Sequence, residues 1–138
     1  MDEEEVALCD ADGHQSNGTL RRETLTAQGA HRLTINIRGR EPVSADSSDY
    51  FEAMQLLRLQ LEAIGLRLCC AGARRDTWAS GVQRDMGQGL NCYILTLPRS
   101  ARRPDQIGIF EPAACELIGT VTEQRAYFDT WLASTREK

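Results

Sequence analysis

The segment GARRDTWASGVQRDMGQG, residues 72–89, gathers residue types able to hold an anion: Arg74, Arg75 and Arg84, set among glycines 72, 81, 87 and 89. Guanidinium groups grip phosphate or carboxylate oxygens through paired N–H donors, and glycines let backbone amides converge on a charge. The spacings of the known phosphate loops are absent. A P-loop requires GxxxxGK[ST], whereas the interval from Gly81 to Gly87 is one residue too long and Gln88 follows in place of Lys. A dinucleotide turn requires GxGxxG opening a helix, whereas Gly87-Gln88-Gly89 runs into the apolar stretch LNCYILTL. Asp76 and Asp85 stand beside Arg75 and Arg84 and oppose their field. Three readings remain for the segment: a loop braced by Arg–Asp pairs, a surface for a protein partner, or a phosphate or nucleotide site. Trp78 and Met86 favour contact with a partner, because Trp, Met and Arg concentrate at interface centres.

Other reactive types are scattered. His14 and His31 are the only histidines, and none of Cys9, Cys69, Cys70, Cys92 or Cys115 has the setting of a catalytic nucleophile. Cys69 and Cys70 are adjacent in an apolar run, so in a strand they point to opposite faces and share neither a disulfide nor a metal. The run Asp10-Ala11-Asp12-Gly13 opens like a calcium loop, yet Gln15 and Arg21 occupy the positions of the required glycine and bidentate glutamate. Glu111 and Glu116 are carboxylates with no partner fixed by spacing. The expectation is a chain without catalytic residues, metal or cofactor.

Composition narrows the class. The 138 residues suit one domain with a real core. Twenty acidic against 16 basic residues give a net charge of −4, which is not the basic excess of a general nucleic-acid binder. Lys138 is the only lysine, a bias that a GC-rich genome produces without any function. MDEEEVALCD lacks the basic start of a secretory signal, and no apolar run is long enough for a membrane helix. These features point to a cytoplasmic protein with reduced thiols, several buried as small hydrophobes.

The elements that must position the 72–89 segment are legible around it. HRLTINIR alternates Leu33, Ile35 and Ile37 with polar residues and reads as a strand. Tyr50, Met54, Leu57, Leu61 and Ile64 form a helical stripe, with Asp49 and Glu52 at capping-box spacing and Gly65 as the stop. Residues 66–71 and 90–97 read as strands, the second apolar on both faces as a central strand would be. Residues 106–110 read as a short further strand. Thr120 and Glu123 open a second helix to about Thr135, whose inner face is Gln124, Tyr127, Phe128, Trp131 and Leu132. The sum is a single α+β domain, a mostly antiparallel sheet with two helices packed on it. Residues 1–30 form an acidic, turn-rich segment ahead of an α+β region at 31–138. Asn17-Gly18 signals a hairpin there, and a flexible acidic arm is the competing reading.

The run SDYFEAMQLLRLQLEAIGLRLCCAGARRDTWASGVQRDMG, continued by YILTLPR and EPAACELIGTVTEQRAYFDTWL, resembles small bacterial proteins encoded beside polymorphic toxins. It spans residues 48–132. Such proteins act as immunity proteins, including partners of Rhs-type effectors of type VI secretion. The resemblance implies a non-catalytic cytoplasmic protein that binds a cognate toxin domain as a monomer in a heterodimer, with no direct nucleic acid or membrane contact. The toxin would act on nucleic acid or on a dinucleotide such as NAD, as a nuclease or an ADP-ribosyltransferase does. Basic clefts of such toxins attract acidic partners. Two surfaces fit that role: the loop carrying Arg74, Arg75, Asp76, Trp78, Arg84, Asp85 and Met86, and the acidic run Glu3, Glu4 and Glu5 with its neighbours Asp2, Asp10 and Asp12. Two alternatives stay open: a small nucleotide- or RNA-associated protein using the 72–89 loop, and an effector adaptor that binds without inhibiting.

Overall fold

A computed structural model describes residues 2–136. Five antiparallel strands form the larger sheet: β1 (Asp2–Asp10), β2 (Gln15–Leu25), β3 (Ala30–Ile37), β4 (Val43–Ser47) and β5 (Leu66–Leu68), in the order β4-β3-β2-β1-β5. Helix α1 (Tyr50–Ala63) leaves one edge of this sheet at β4, crosses its face and delivers β5 to the other edge. The second half is less regular. Two-residue strand β6 (Thr77–Trp78), β7 (Asn91–Ile94) and β8 (Gln106–Gly108) form a small antiparallel sheet, with the short helix α2 (Gly81–Met86) inserted between β6 and β7. Helix α3 (Val121–Arg136) closes the chain. The fold class is α+β, with helices packed on a curled antiparallel sheet.

Alternation in β3 places Leu33 and Ile35 in the core, where they meet Phe51, Met54, Leu57 and Leu61 of α1. Asp49 caps α1 by accepting the Glu52 N–H at 2.9 Å, and Gly65 at φ +78° ends it. Ile64 lies at the cap rather than in the stripe and is exposed. The reciprocal capping box at α3 is complete: Thr120 Oγ1 accepts the Glu123 N–H at 3.0 Å, and Glu123 Oε1 accepts the Thr120 N–H at 2.8 Å.

Several local expectations shift. Residues 2–25 are a hairpin, and β1 and β2 lie inside the sheet rather than forming a separate arm. Its turn is not Asn17-Gly18, which sits within β2, but residues 11–14, where Gly13 takes φ +82°. The Asp10 carboxylate closes that turn by accepting the N–H groups of Asp12 and His14, each at 2.9 Å. The strand expected over 66–71 stops at Leu68, because Ala71–Ala73 turns into a 3₁₀ helix. The strand expected over 90–97 shrinks to Asn91–Ile94 and is central in the small sheet only.

The thiols divide. Cys69 packs in a small cluster with Cys9, Ala73 and Ile118, whereas Cys70, in extended backbone just past β5, joins the main core. The reading of all five cysteines as reduced thiols is corrected: Cys9 and Cys115 form a disulfide, while Cys69, Cys70 and Cys92 are free and buried. Position decides this outcome, since the 3₁₀ turn Cys115–Leu117 brings residue 115 over the end of β1, a contact no local pattern reveals.

Candidate functional site

Residues 72–89 are not a floppy excursion. Arg74 grips Asp76 through two parallel bonds of 2.8 Å, which hold its guanidinium firmly charged and fix the turn into β6. Arg84 reaches back to the start of α1, donating to Asp49 at 2.9 Å and to Glu52 at 3.1 Å. The pairs suggested by adjacency, Arg75–Asp76 and Arg84–Asp85, are therefore replaced by Arg74–Asp76 and Arg84–Asp49/Glu52. Arg75 and Asp85 are exposed.

The far end of the loop is equally constrained. The Gln88 carbonyl accepts the Tyr50 N–H at 2.8 Å, satisfying a donor that the first turn of α1 leaves free. Gly89, at φ +72°, lies so close to this turn that an added Cβ would stand 2.7 Å from Asp49 Oδ1 and 2.8 Å from the Phe51 nitrogen. Only glycine fits there.

A six-residue helix is unstable alone, so α2 exists because its ends are fixed. Ser80 Oγ accepts the Gln83 N–H at 3.1 Å, and Gln83 Oε1 accepts the Ser80 N–H at 2.8 Å. With Arg84 pinned to α1, the opposite face of α2 is committed to solvent. That face carries Val82, 71% exposed, and Met86, 82% exposed, the two most exposed large hydrophobics among the described residues. They are four positions apart and hence neighbours on the helix surface. Val82 escapes notice in the sequence, since a lone valine in a polar segment carries no periodic signal.

Beside this ledge runs a groove of about 490 Å³, lined by Ser48, Asp49, Ser80, Arg84, Asp85 and Phe128 among others. Trp78 forms part of its floor. As an exposed anchor, Trp78 is corrected: it is 9% exposed, stacked on Phe128 at 4.5 Å and edge-on to Phe51 at 5.3 Å. Arg125 sits 5.5 Å over its ring. Trp78 thus welds α1, β6 and α3, and contacts of this kind add about 0.5–1.5 kcal/mol per pair beyond burial. Arg74, Asp76 and Arg84 are likewise internal braces, which leaves Arg75, Asp85 and Met86 of the expected loop residues facing outward.

Beneath the groove lies a polar tie that sequence reasoning missed. Arg58 of α1 is 2% exposed and Gln124 of α3 fully buried. Arg58 donates to Gln124 Oε1 and to the Gly119 carbonyl at 2.8 Å, and Gln124 donates to the carbonyls of Gly72 at 2.9 Å and Thr77 at 2.8 Å. Burial pushes the Arg58 guanidinium down to about 10, with Glu62 partly restoring it. In sequence Arg58 looks like a solvated helix charge, and its carbonyl partners come from distant segments, Gly119 just before α3 and Ala73 in the 3₁₀ turn.

The acidic run stands elsewhere. Glu3, Glu4 and Glu5 are exposed on β1, opposite Arg21, Leu20 and Thr19 of β2, and Asp2 meets Arg22 at 3.3 Å. Since β5 pairs with β1 only from Leu8 to Asp10, the Asp2–Val6 stretch keeps its other edge free of strand pairing. Acidic side chains on such an edge discourage chain-to-chain pairing. The histidines hold local roles, His14 against Asp10 and His31 against Tyr50 at 4.6 Å. Among the described residues no helix is long and apolar enough to cross a membrane. Comparison with protein-family models and with curated proteins returned no match for this chain.

Proposed function

We propose that the chain is an immunity protein, which binds and neutralises a cognate bacterial toxin domain in the cytoplasm of the producing cell. The observation that carries this reading is the Val82–Met86 ledge. It presents two apolar side chains on a helix whose capping box and Arg84 bridge hold it in place before any partner arrives. Two neighbouring apolar side chains this exposed would gain from burial against a partner, and a preorganised backbone lowers the entropy lost on binding. Asp85, exposed beside Met86, and the net charge of −4 suit a basic toxin cleft of the kind found in nucleases and ADP-ribosyltransferases.

The nucleotide- or RNA-associated alternative loses support, since Arg74 and Arg84 are already bound to carboxylates and Arg75 alone of the three faces solvent. An adaptor that binds without inhibiting would use the same ledge, and growth separates the two. Co-expression of the chain with the toxin domain encoded beside it restores growth under this proposal, whereas the Val82→Asp, Met86→Asp double variant does not. Binding without rescue identifies an adaptor. Rescue by the double variant equal to the unaltered chain would exclude the ledge.

A further inference from the structure

The disulfide has a third cysteine against it. The sulfurs of Cys9, Cys69 and Cys115 all lie within 4.8 Å of one another, although they come from β1, from the segment after β5 and from the turn at Cys115–Leu117. Cys69 is only 4% exposed, and its thiol reaches no better acceptor than the Arg67 carbonyl at 4.0 Å. One bond needs two sulfurs, and the third is idle in this state. The cluster is not sealed: Cys9 and Cys115 line a surface pocket of about 490 Å³ together with Asp10, Arg67, Gln15 and Glu116.

We propose that, once the Cys9–Cys115 bond is reduced, Cys9, Cys69 and Cys115 form a three-thiolate site for zinc, with the fourth position facing the pocket. Thiolates around a tetrahedral zinc ion sit about 2.3 Å from the metal and hence about 3.8 Å from each other, inside the span the three sulfurs already occupy. Asp10 or Glu116, or a water in the pocket, completes the shell. The charges fit. Three thiolates and one divalent cation leave a net charge of −1, and the Arg67 guanidinium shares the pocket.

The steps balance. A dithiol reductant gives two electrons and two protons to the Cys9–Cys115 bond, which breaks to two thiols while the reductant becomes a disulfide. Zinc then takes the three sulfurs as thiolates and releases three protons. The disulfide and the metal site are thus mutually exclusive states of one cluster, exchanged by the redox potential of the surroundings.

The test uses the whole chain, oxidised or reduced with a phosphine, titrated with zinc against a chelator and with cobalt as a spectroscopic stand-in. The expected result is one metal per reduced chain, with sulfur-to-cobalt charge-transfer intensity for three thiolates, and no binding to the oxidised chain. Cys69→Ser, which leaves the disulfide able to form, should weaken binding to the reduced chain more than roughly tenfold, as should Cys115→Ser. Cys70→Ser, on the opposite face, should leave it unchanged. Equal zinc affinity for the unaltered and Cys69→Ser chains, or a cobalt spectrum of two thiolates or fewer, would overturn the proposal. If reduction loosens the fold, zinc should restore the native circular dichroism, and failure to do so overturns it too.

Discussion

The two halves of this molecule are held together by different means. Residues 2–68 form a sheet and a helix whose cohesion is apolar and regular, with Leu33 and Ile35 facing Phe51, Met54 and Leu57. Residues 69–119 contain mostly short elements that enter the same core through Trp78, Cys92, Leu95 and Ile109 but are fixed in addition by polar ties, one local (Arg74 with Asp76) and others distant (Arg58 with Gln124, Arg84 with Asp49 and Glu52). Apolar packing tolerates loss of one methyl group, whereas a buried polar tie that loses a member strands the rest without partners. The exposed α2 ledge belongs to the second kind of region, where rigidity depends on a few specific bonds.

The largest test of that contrast is Arg58→Ala. It should destabilise the protein by about 3–5 kcal/mol, because Gln124 and buried carbonyls lose their donor. Chemical denaturation reads this directly, and a loss below about 1 kcal/mol would show that the tie is incidental. Arg84→Ala should cost less, about 1–2 kcal/mol, since its bond to the buried Asp49 matters more than its bond to the half-exposed Glu52. Its hydrogen-exchange signature should be lost protection in α2 with the sheet unchanged. Ile35→Val, in the apolar half, should cost about 0.5–1.5 kcal/mol by the same denaturation assay. Met86→Ala should change stability by less than about 0.5 kcal/mol, because the side chain is already in solvent.

Thiol labelling sharpens the comparison without any mutation. Burial pushes the Cys70 and Cys92 thiols up to about 12, so both should resist alkylation at neutral pH until the 69–119 region opens. Arg84→Ala should accelerate labelling of Cys92, followed by mass spectrometry, if the ties hold that region shut.

The same division governs what the sequence reveals. In β3 and α1 the burying residues repeat at the period of the element, so Leu33, Ile35, Met54 and Leu57 announce their faces locally. Helix α3 was legible for the same reason, through its Thr120–Glu123 box and the run from Gln124 to Trp131. The 72–89 segment was legible as residue types but not as partners. Arg84 bonds Asp49, 35 positions away, rather than its neighbour Asp85, because the turn at Gln88–Gly89 folds α2 against the start of α1. Trp78 looked like an interface anchor by type, yet stacking on Phe128 from α3 withdraws it from the surface. Val82, with no periodic pattern around it, became visible only once α2 was in place. The Cys9–Cys115 bond, 106 positions apart, joins segments with no shared pattern.

The central claim is that the ledge on α2 meets a protein partner. The most direct measurement is the affinity of the chain for the proposed toxin partner, by calorimetry, before and after Met86→Asp. The account predicts a loss of at least about 2 kcal/mol, the scale of an interface anchor, with stability unchanged. An affinity preserved to within a few tenths of a kcal/mol would contradict it.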